Sequence, residues 1–166
     1  MSLKELNLAP HEQAYDLFQS CCAAPGWIQG MIDGRPYANR DDMIDHCLSL
    51  WPTLSEADWL AAFEAHPKIG DVNSLRAKYA NTKALASGEQ AGAKSAPDEI
   101  LARLKTGNDQ YLEKFGFIFI VCATGKSAME MLTLLEARLP NTRQEELKNA
   151  AKEQAKITEL RLEKLV

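Results

Sequence analysis

With 166 residues, 46% hydrophobic and 25% charged, the chain has the size and composition of one soluble globular domain that buries a core without staples. A formal net charge of −4 offers no basic field for nucleic acid or an anionic membrane, and no apolar run nears the ~18 residues of a transmembrane helix. MSLKELNLAPHEQ at the start lacks the apolar stretch of a signal peptide and EKLV at the end is no peroxisomal-type tail, so a cytoplasmic protein is expected.

The first predicted helix is PHEQAYDLFQSCC, where Pro10 suits a first turn and Tyr15, Phe18 and Cys22 share a stripe; Pro25-Gly26 is its expected stop. NRDDMIDHCLSLW follows, with Asn39 as cap, acids in the first turn, and Met43, Cys47 and Leu50 in helical register. His46 lies beside that stripe and reads as a structural histidine. SEADWLAAFEAH opens on Ser55-x-x-Asp58, close to a capping box, and sets Trp59, Ala62, Phe63 and His66 at helical spacing. Pro67 disfavours helical geometry at the residue before it, so this helix should end at His66 with the ring facing inward.

The polar stretch that follows, from Gly70 to Pro97, predicts short helices and loops. Pro97 then opens a helix through Phe115, with Gly116 as its stop. FGFIFIVCATG is β-branched and aromatic, but no other segment offers it a pairing partner, so it reads as extended chain entering the next helix. KSAMEMLTLLEARL predicts an amphipathic helix ending before Pro140, and Thr142-x-x-Glu145 caps a long final helix. No repeat or linker interrupts the pattern. The expectation is one all-α domain over 1–166, a bundle of about seven to nine helices.

Little here suggests a metal or a nucleotide. Cys21, Cys22, Cys47 and Cys122 make no disulfide or metal pattern and read as buried thiols; His11, His46 and His66 show no HExxH-type spacing. ATGKSAME resembles a phosphate loop only in Gly125-Lys126-Ser127, because Ile120 stands where that motif needs a glycine; Ser127 reads as a helix cap.

The final helix holds an anomaly. Its expected inward stripe is Leu147, Ala150, Ala151, Gln154, Ile157, Thr158, Arg161 and Leu165, which places a guanidinium among apolar positions. A structural ion pair, snorkelling to water, and a ligand-binding role all remain open for Arg161. In SGEQAG, Glu89 and Gln90 stand together among small residues, where an acid can assist a histidine and an amide can hold a planar polar ligand. An inward histidine, an acid–amide pair and an inward arginine together suit cofactor-free acid–base chemistry on a small anionic molecule. The competing reading is a non-catalytic helical binding or scaffold module in which His66, Glu89 and Arg161 form a buried ion-pair network.

HPKIGD, then GEQAG, then KFGFIFIVCATGKS, then EQAKITELRLEKL together resemble the 2-oxo-4-hydroxy-4-carboxy-5-ureidoimidazoline (OHCU) decarboxylases, in order and over nearly the whole chain. The resemblance implies an all-α homodimer without metal or cofactor, acting on OHCU to give (S)-allantoin in urate degradation. It implies His66 as the catalytic acid, with Glu89 assisting it and Pro67 beside it in the pocket. Gln90 would hold the ring, with Ala86, Ser87 and Gly88 in the same substrate-binding stretch. Phe119, Ile120, Val121, Cys122 and Ala123 would present backbone groups to the substrate, and Arg161 would bind it. One position departs: the family's serine three residues before the glutamate is Ala86 here, with Ser87 next. Either Ser87 substitutes after a small backbone shift, or that hydrogen bond is absent.

Overall fold

Caps set most of the helix boundaries. The computed structural model describes residues 1–67 and 96–166, and among these described residues are eight α-helices, one 3-10 turn and no strand, so the all-α expectation holds. The chain divides into two compact units, Met1–His66 with Ala151–Val166, and Pro67–Ala150. The short helices and loops expected after His66 fall on residues 68–95, outside the described residues.

In the first unit, α1 (Leu3–Leu8) starts in a capping box between Ser2 and Glu5, and α2 (His11–Gln19) follows Pro10. Pro25 does not stop α2, which already ends at Gln19; it opens α3 (Pro25–Asp33) from the first turn, where a missing N–H costs nothing. Asn39 caps α4 (Arg40–Leu50) by accepting from the Asp42 N–H, and Ser55 caps α5 (Glu56–Glu64) through the Asp58 N–H. A 3-10 turn, Trp51–Thr53, joins the last two.

The core of this unit gathers Phe18, Trp27, Ile28, Met31, Met43, Phe63 and Leu162, all fully buried. Phe18 and Trp27 meet edge to face with centroids 5.9 Å apart, and the Trp27 N–H donates to Cys47 Sγ at 3.3 Å. Burial pushes the Cys47 thiol up to about 12, so it stays neutral. Gly30 is required by close approach: a Cβ there would lie 2.4 Å from a methyl of Leu50. His46 satisfies its ring against the Gly30 carbonyl at 3.0 Å, as a structural histidine should.

In the second unit, α6 (Ala96–Phe115) begins one residue before Pro97 and ends at Gly116, whose φ of +80° is the left-handed cap that glycine tolerates. Residues 117–126 then run without regular structure, as expected. Ser127 and Glu130 form a full capping box for α7 (Ala128–Arg138), and Thr142 with Glu145 starts α8 (Arg143–Leu165). α6 packs on α7, and Tyr111 collects Phe115, Phe117 and Phe119 around its ring at 4.4, 5.9 and 5.3 Å. α8 crosses the division of the chain, with residues to Ala150 in this unit and those from Ala151 in the first.

Candidate functional site

α5 delivers His66. The helix ends at Glu64, and the His66 N–H bonds back to the Phe63 carbonyl at 3.2 Å in a tight final turn. Pro67 disfavours helical geometry at the residue before it, in keeping with the end of α5 ahead of His66. The ring is half-buried, less deep than an inward core position.

Its Nε2 lies 2.6 Å from Gln154 Oε1 on α8. An amide oxygen can only accept, so the ring nitrogen donates. Gln154 and Thr158 are 1% and 2% exposed, among the few buried polar side chains of the described residues, and they bond each other one turn apart: Gln154 Nε2 donates to Thr158 Oγ1 at 3.1 Å. Burial pushes the Cys22 thiol up to about 11. A series of donors therefore runs from the ring through Gln154 to Thr158.

Arg161 differs from expectation. It is exposed, and Leu162 takes the buried position. The buried seam of α8 here runs Gln154, Thr158, Leu162 in steps of four. Each such step rotates the seam by about 40° on a helix of ~3.6 residues per turn. By the last turns Ile157 and Arg161 have moved off it. The Arg161 guanidinium is not sunk in the core; its Nη1 donates to the Cys21 carbonyl at 3.1 Å, which pins the side chain beside the α2–α3 connection while leaving it accessible.

The second unit holds the Phe119–Ala123 segment. Arg138 Nη1 donates to the Ile120 carbonyl at 2.7 Å and Lys126 Nζ donates to the Cys122 carbonyl at 2.7 Å. These peptides are trans, so the N–H groups of Val121 and Ala123 point to the opposite edge. The segment is thus a row of oriented backbone dipoles, able to meet the carbonyls of a planar polar molecule.

What holds Arg138 was not anticipated. Glu146 is 0% exposed; its Oε1 accepts from Arg138 Nε and the Tyr111 hydroxyl, each at 2.6 Å, and its Oε2 from Asn141 at 2.9 Å and Asn149 at 2.7 Å. Burial pushes this carboxyl up, but the bonds from Asn141, Tyr111, Asn149 and Arg138 together pull it below its ordinary value. The Arg138 guanidinium also lies over the Phe119 ring, 4.6 Å from its centroid. Glu146 and Gln154 both carried a sequence signal, a polar residue in register with the apolar seam of α8.

Of the expected site residues, His66 and Arg161 fall in the first unit, Pro67 and Phe119–Ala123 in the second. Pro67 is exposed. Ala86, Ser87, Gly88, Glu89 and Gln90 lie outside the described residues. Among the described residues, no group of three or more His, Cys, Asp or Glu side chains is placed to hold a metal, and no helix is long and apolar enough to cross a membrane.

Residues 7–163 match the protein family described as OHCU decarboxylase. A uric acid degradation bifunctional protein of Arabidopsis thaliana is 35% identical over 151 residues; the alignment covers 90% of this chain but 46% of the relative, so the chain spans less than half of that protein. The 2-oxo-4-hydroxy-4-carboxy-5-ureidoimidazoline decarboxylase of Amia calva is 27% identical, covering 100% of this chain and 95% of its own. A crystal structure of an OHCU decarboxylase in the presence of (S)-allantoin superposes with a TM-score of 0.70 at 33% identity, covering 95% of this chain and 98% of that one.

Proposed function

We propose that this chain, which belongs to the OHCU decarboxylase family, removes CO2 from 2-oxo-4-hydroxy-4-carboxy-5-ureidoimidazoline and releases (S)-allantoin in urate breakdown. The observation that carries this is the mounting of His66: a half-buried imidazole aimed by a helix end, by Pro67 and by a buried amide. The family match over 7–163 supports treating both units as parts of one functional domain.

The substrate needs little help beyond a placed proton. Its carboxylate sits on a ring carbon next to a C=N bond. When the carbon–carboxylate bond breaks, the electron pair passes into that imine, so the substrate is its own electron sink and no cofactor has to supply one. His66 as imidazolium then gives a proton to the former imine carbon, and the hydroxyl-bearing carbon becomes the carbonyl of the product. Delivery from one side fixes the stereocentre.

Around that step, Glu89 assists the histidine and Gln90 holds the ring, with Pro67, Ala86, Ser87 and Gly88 as further substrate-binding residues. The oriented backbone of Phe119–Ala123 meets the ureido and ring atoms. Arg161 clamps a substrate oxygen through its exposed fork. That clamp helps only as far as it strengthens in the transition state, because tight binding of the departing carboxylate would oppose its loss.

The deciding experiment generates OHCU in place from urate with urate oxidase and hydroxyisourate hydrolase, adds this protein, and follows circular dichroism. Rapid growth of one enantiomer of allantoin is the expected result. Formation only at the spontaneous rate, as a racemate and with folded protein, would sink the decarboxylase assignment in favour of a ureide-binding module. The proposal extends to a cytoplasmic homodimer, for which the family resemblance is the support. Light scattering of the purified chain should give twice its 18.4 kDa mass, and a monomer would refute the dimer.

A further inference from the structure

We propose that Lys126 and Arg138 are positioning residues for the substrate: bonded to the Cys122 and Ile120 carbonyls, they polarise two peptide groups and make the N–H of Ala123 and of Val121 reinforced donors to its carbonyl oxygens. That the substrate is OHCU rests on the decarboxylase assignment; the paired donors rest on geometry within the second unit.

The Gly125-Lys126-Ser127 run, which fails as a phosphate loop, has a different use here. Gly125 is the third residue of a turn closed by the Lys126 N–H on the Ala123 carbonyl at 3.0 Å, and its φ of +75° at that place suits glycine. The turn folds Lys126 back along the segment it has just left, and Nζ donates to the Cys122 carbonyl at 2.7 Å. Ordering a lysine chain this way costs rotamer entropy that an ammonium in open water keeps. Among the described residues Lys126 meets no carboxylate at ion-pair distance, so its charge acts on this carbonyl uncompensated.

Two residues earlier a second cation is placed in the same manner. Arg138 Nη1 donates to the Ile120 carbonyl at 2.7 Å, while Glu146 and the Phe119 ring fix the guanidinium. One cation just before α7 and one at its last residue therefore sit on alternate carbonyls of a single segment. In a trans peptide the carbonyl and the next N–H are opposite ends of one dipole. A cation on the oxygen draws density from the nitrogen and strengthens that N–H as a donor. Bonds to ionised groups are roughly twice as strong as neutral ones, so the polarisation is correspondingly large. Neither the Val121 N–H nor the Ala123 N–H has an acceptor among the described residues, and both residues are half-buried.

The proposed chemistry uses such donors. As CO2 leaves, the bonding pair moves through the C=N bond onto the ring nitrogen, which is conjugated with the ring carbonyl, and negative charge gathers on that oxygen. A reinforced donor there strengthens in the transition state and raises kcat. The ureido carbonyl keeps its charge through the step, so a reinforced donor there acts on KM. Both effects enter kcat/KM. Lys126 and Arg138 transfer no proton; they act through the peptides.

The test joins backbone NMR of the uniformly labelled chain with steady-state kinetics on freshly generated OHCU. Lys126→Met keeps the length of the side chain without its charge. It should move the Ala123 amide proton and the Cys122 carbonyl carbon upfield and leave the Val121 amide, governed by Arg138, in place. A mere brace, once cut, would move the whole segment, and that result would overturn the proposal. (S)-Allantoin added to wild type should shift both amide protons downfield, with a smaller Ala123 response in Lys126→Met. The kcat/KM of Lys126→Met should fall by about tenfold, less than the roughly hundred- to thousandfold for a whole oxyanion donor, and Lys126→Arg should recover most of it. Unchanged kcat/KM in folded Lys126→Met overturns the proposal, as does an active wild type whose two amides are silent to (S)-allantoin. A wild type inactive on OHCU whose amides still answer to (S)-allantoin would instead remove the decarboxylase assignment and leave the donor pair standing as a ureide site.

Discussion

His66→Ala should lower turnover by about a hundred- to ten-thousandfold, the range a general acid contributes, while the protein stays folded. The fold does not depend on this ring as a core residue, for it is half-buried. What its loss does cost is the donor to Gln154 Oε1, a buried acceptor whose orphaning is worth about 1–3 kcal/mol. His66→Gln separates the two effects. Its side-chain amide can still donate to Gln154, so Tm should recover, yet it cannot deliver a proton, so turnover should stay as low as in His66→Ala. The measurement is single-enantiomer allantoin formation from freshly generated OHCU, beside thermal melts of all three proteins. Near-normal turnover in either variant would remove His66 from the chemistry. Collapse of the fold in both would favour the scaffold alternative, in which the histidine is structural.

The parts of this fold legible in the sequence are those decided within a few residues. Asn39, Ser55, Ser127 and Thr142 each cap a helix through a group three residues on, so the signal and its cause are adjacent. Pro67 marks the end of α5 for the same reason. α3 stayed hidden because its cause is tertiary: Pro25-Gly26 read as a stop, yet Gly30 is where Leu50 of α4 comes against the backbone, and Trp27, Ile28, Met31 and Ile32 are all buried. Arg161 was placed inward by a straight stripe that ignored the slow rotation of the buried seam toward Leu162. His66 was legible as a candidate because its own neighbours constrain it. Gln154, its partner, lies 88 residues away, a distance that no local pattern spans.

Glu146 shows the same limit on a larger scale, and breaking its cluster should have the largest effect on stability of any single change in the second unit. The carboxylate is fully buried and takes donors from α6, α7, the α7–α8 connection and α8 itself, through Tyr111, Arg138, Asn141 and Asn149. Glu146→Leu fills the space but strands the guanidinium of Arg138, whose side chain is 12% exposed, together with the other donors. Removing one partner of a buried pair costs about 3–5 kcal/mol, which for a protein of this size lowers Tm by roughly 10 °C. Arg138→Met should cost as much and should also release the Ile120 carbonyl and the Phe119 ring, so its kcat/KM should fall by about tenfold or more even where the variant is folded. The double variant Arg138→Met/Glu146→Leu should be less destabilised than the sum of the two, because neither charge is then left alone. Acid provides an independent check. The folded carboxyl lies below its ordinary value, so its contribution is complete above the unfolded carboxylate pKa of ~4.3 and is lost as pH falls through the folded one. Melting curves of wild type and Glu146→Leu should therefore converge in acid below that range. Additive losses in the double variant, or a gap that persists in acid, would mean that the pair is not what holds the Phe119–Ala123 backbone in place.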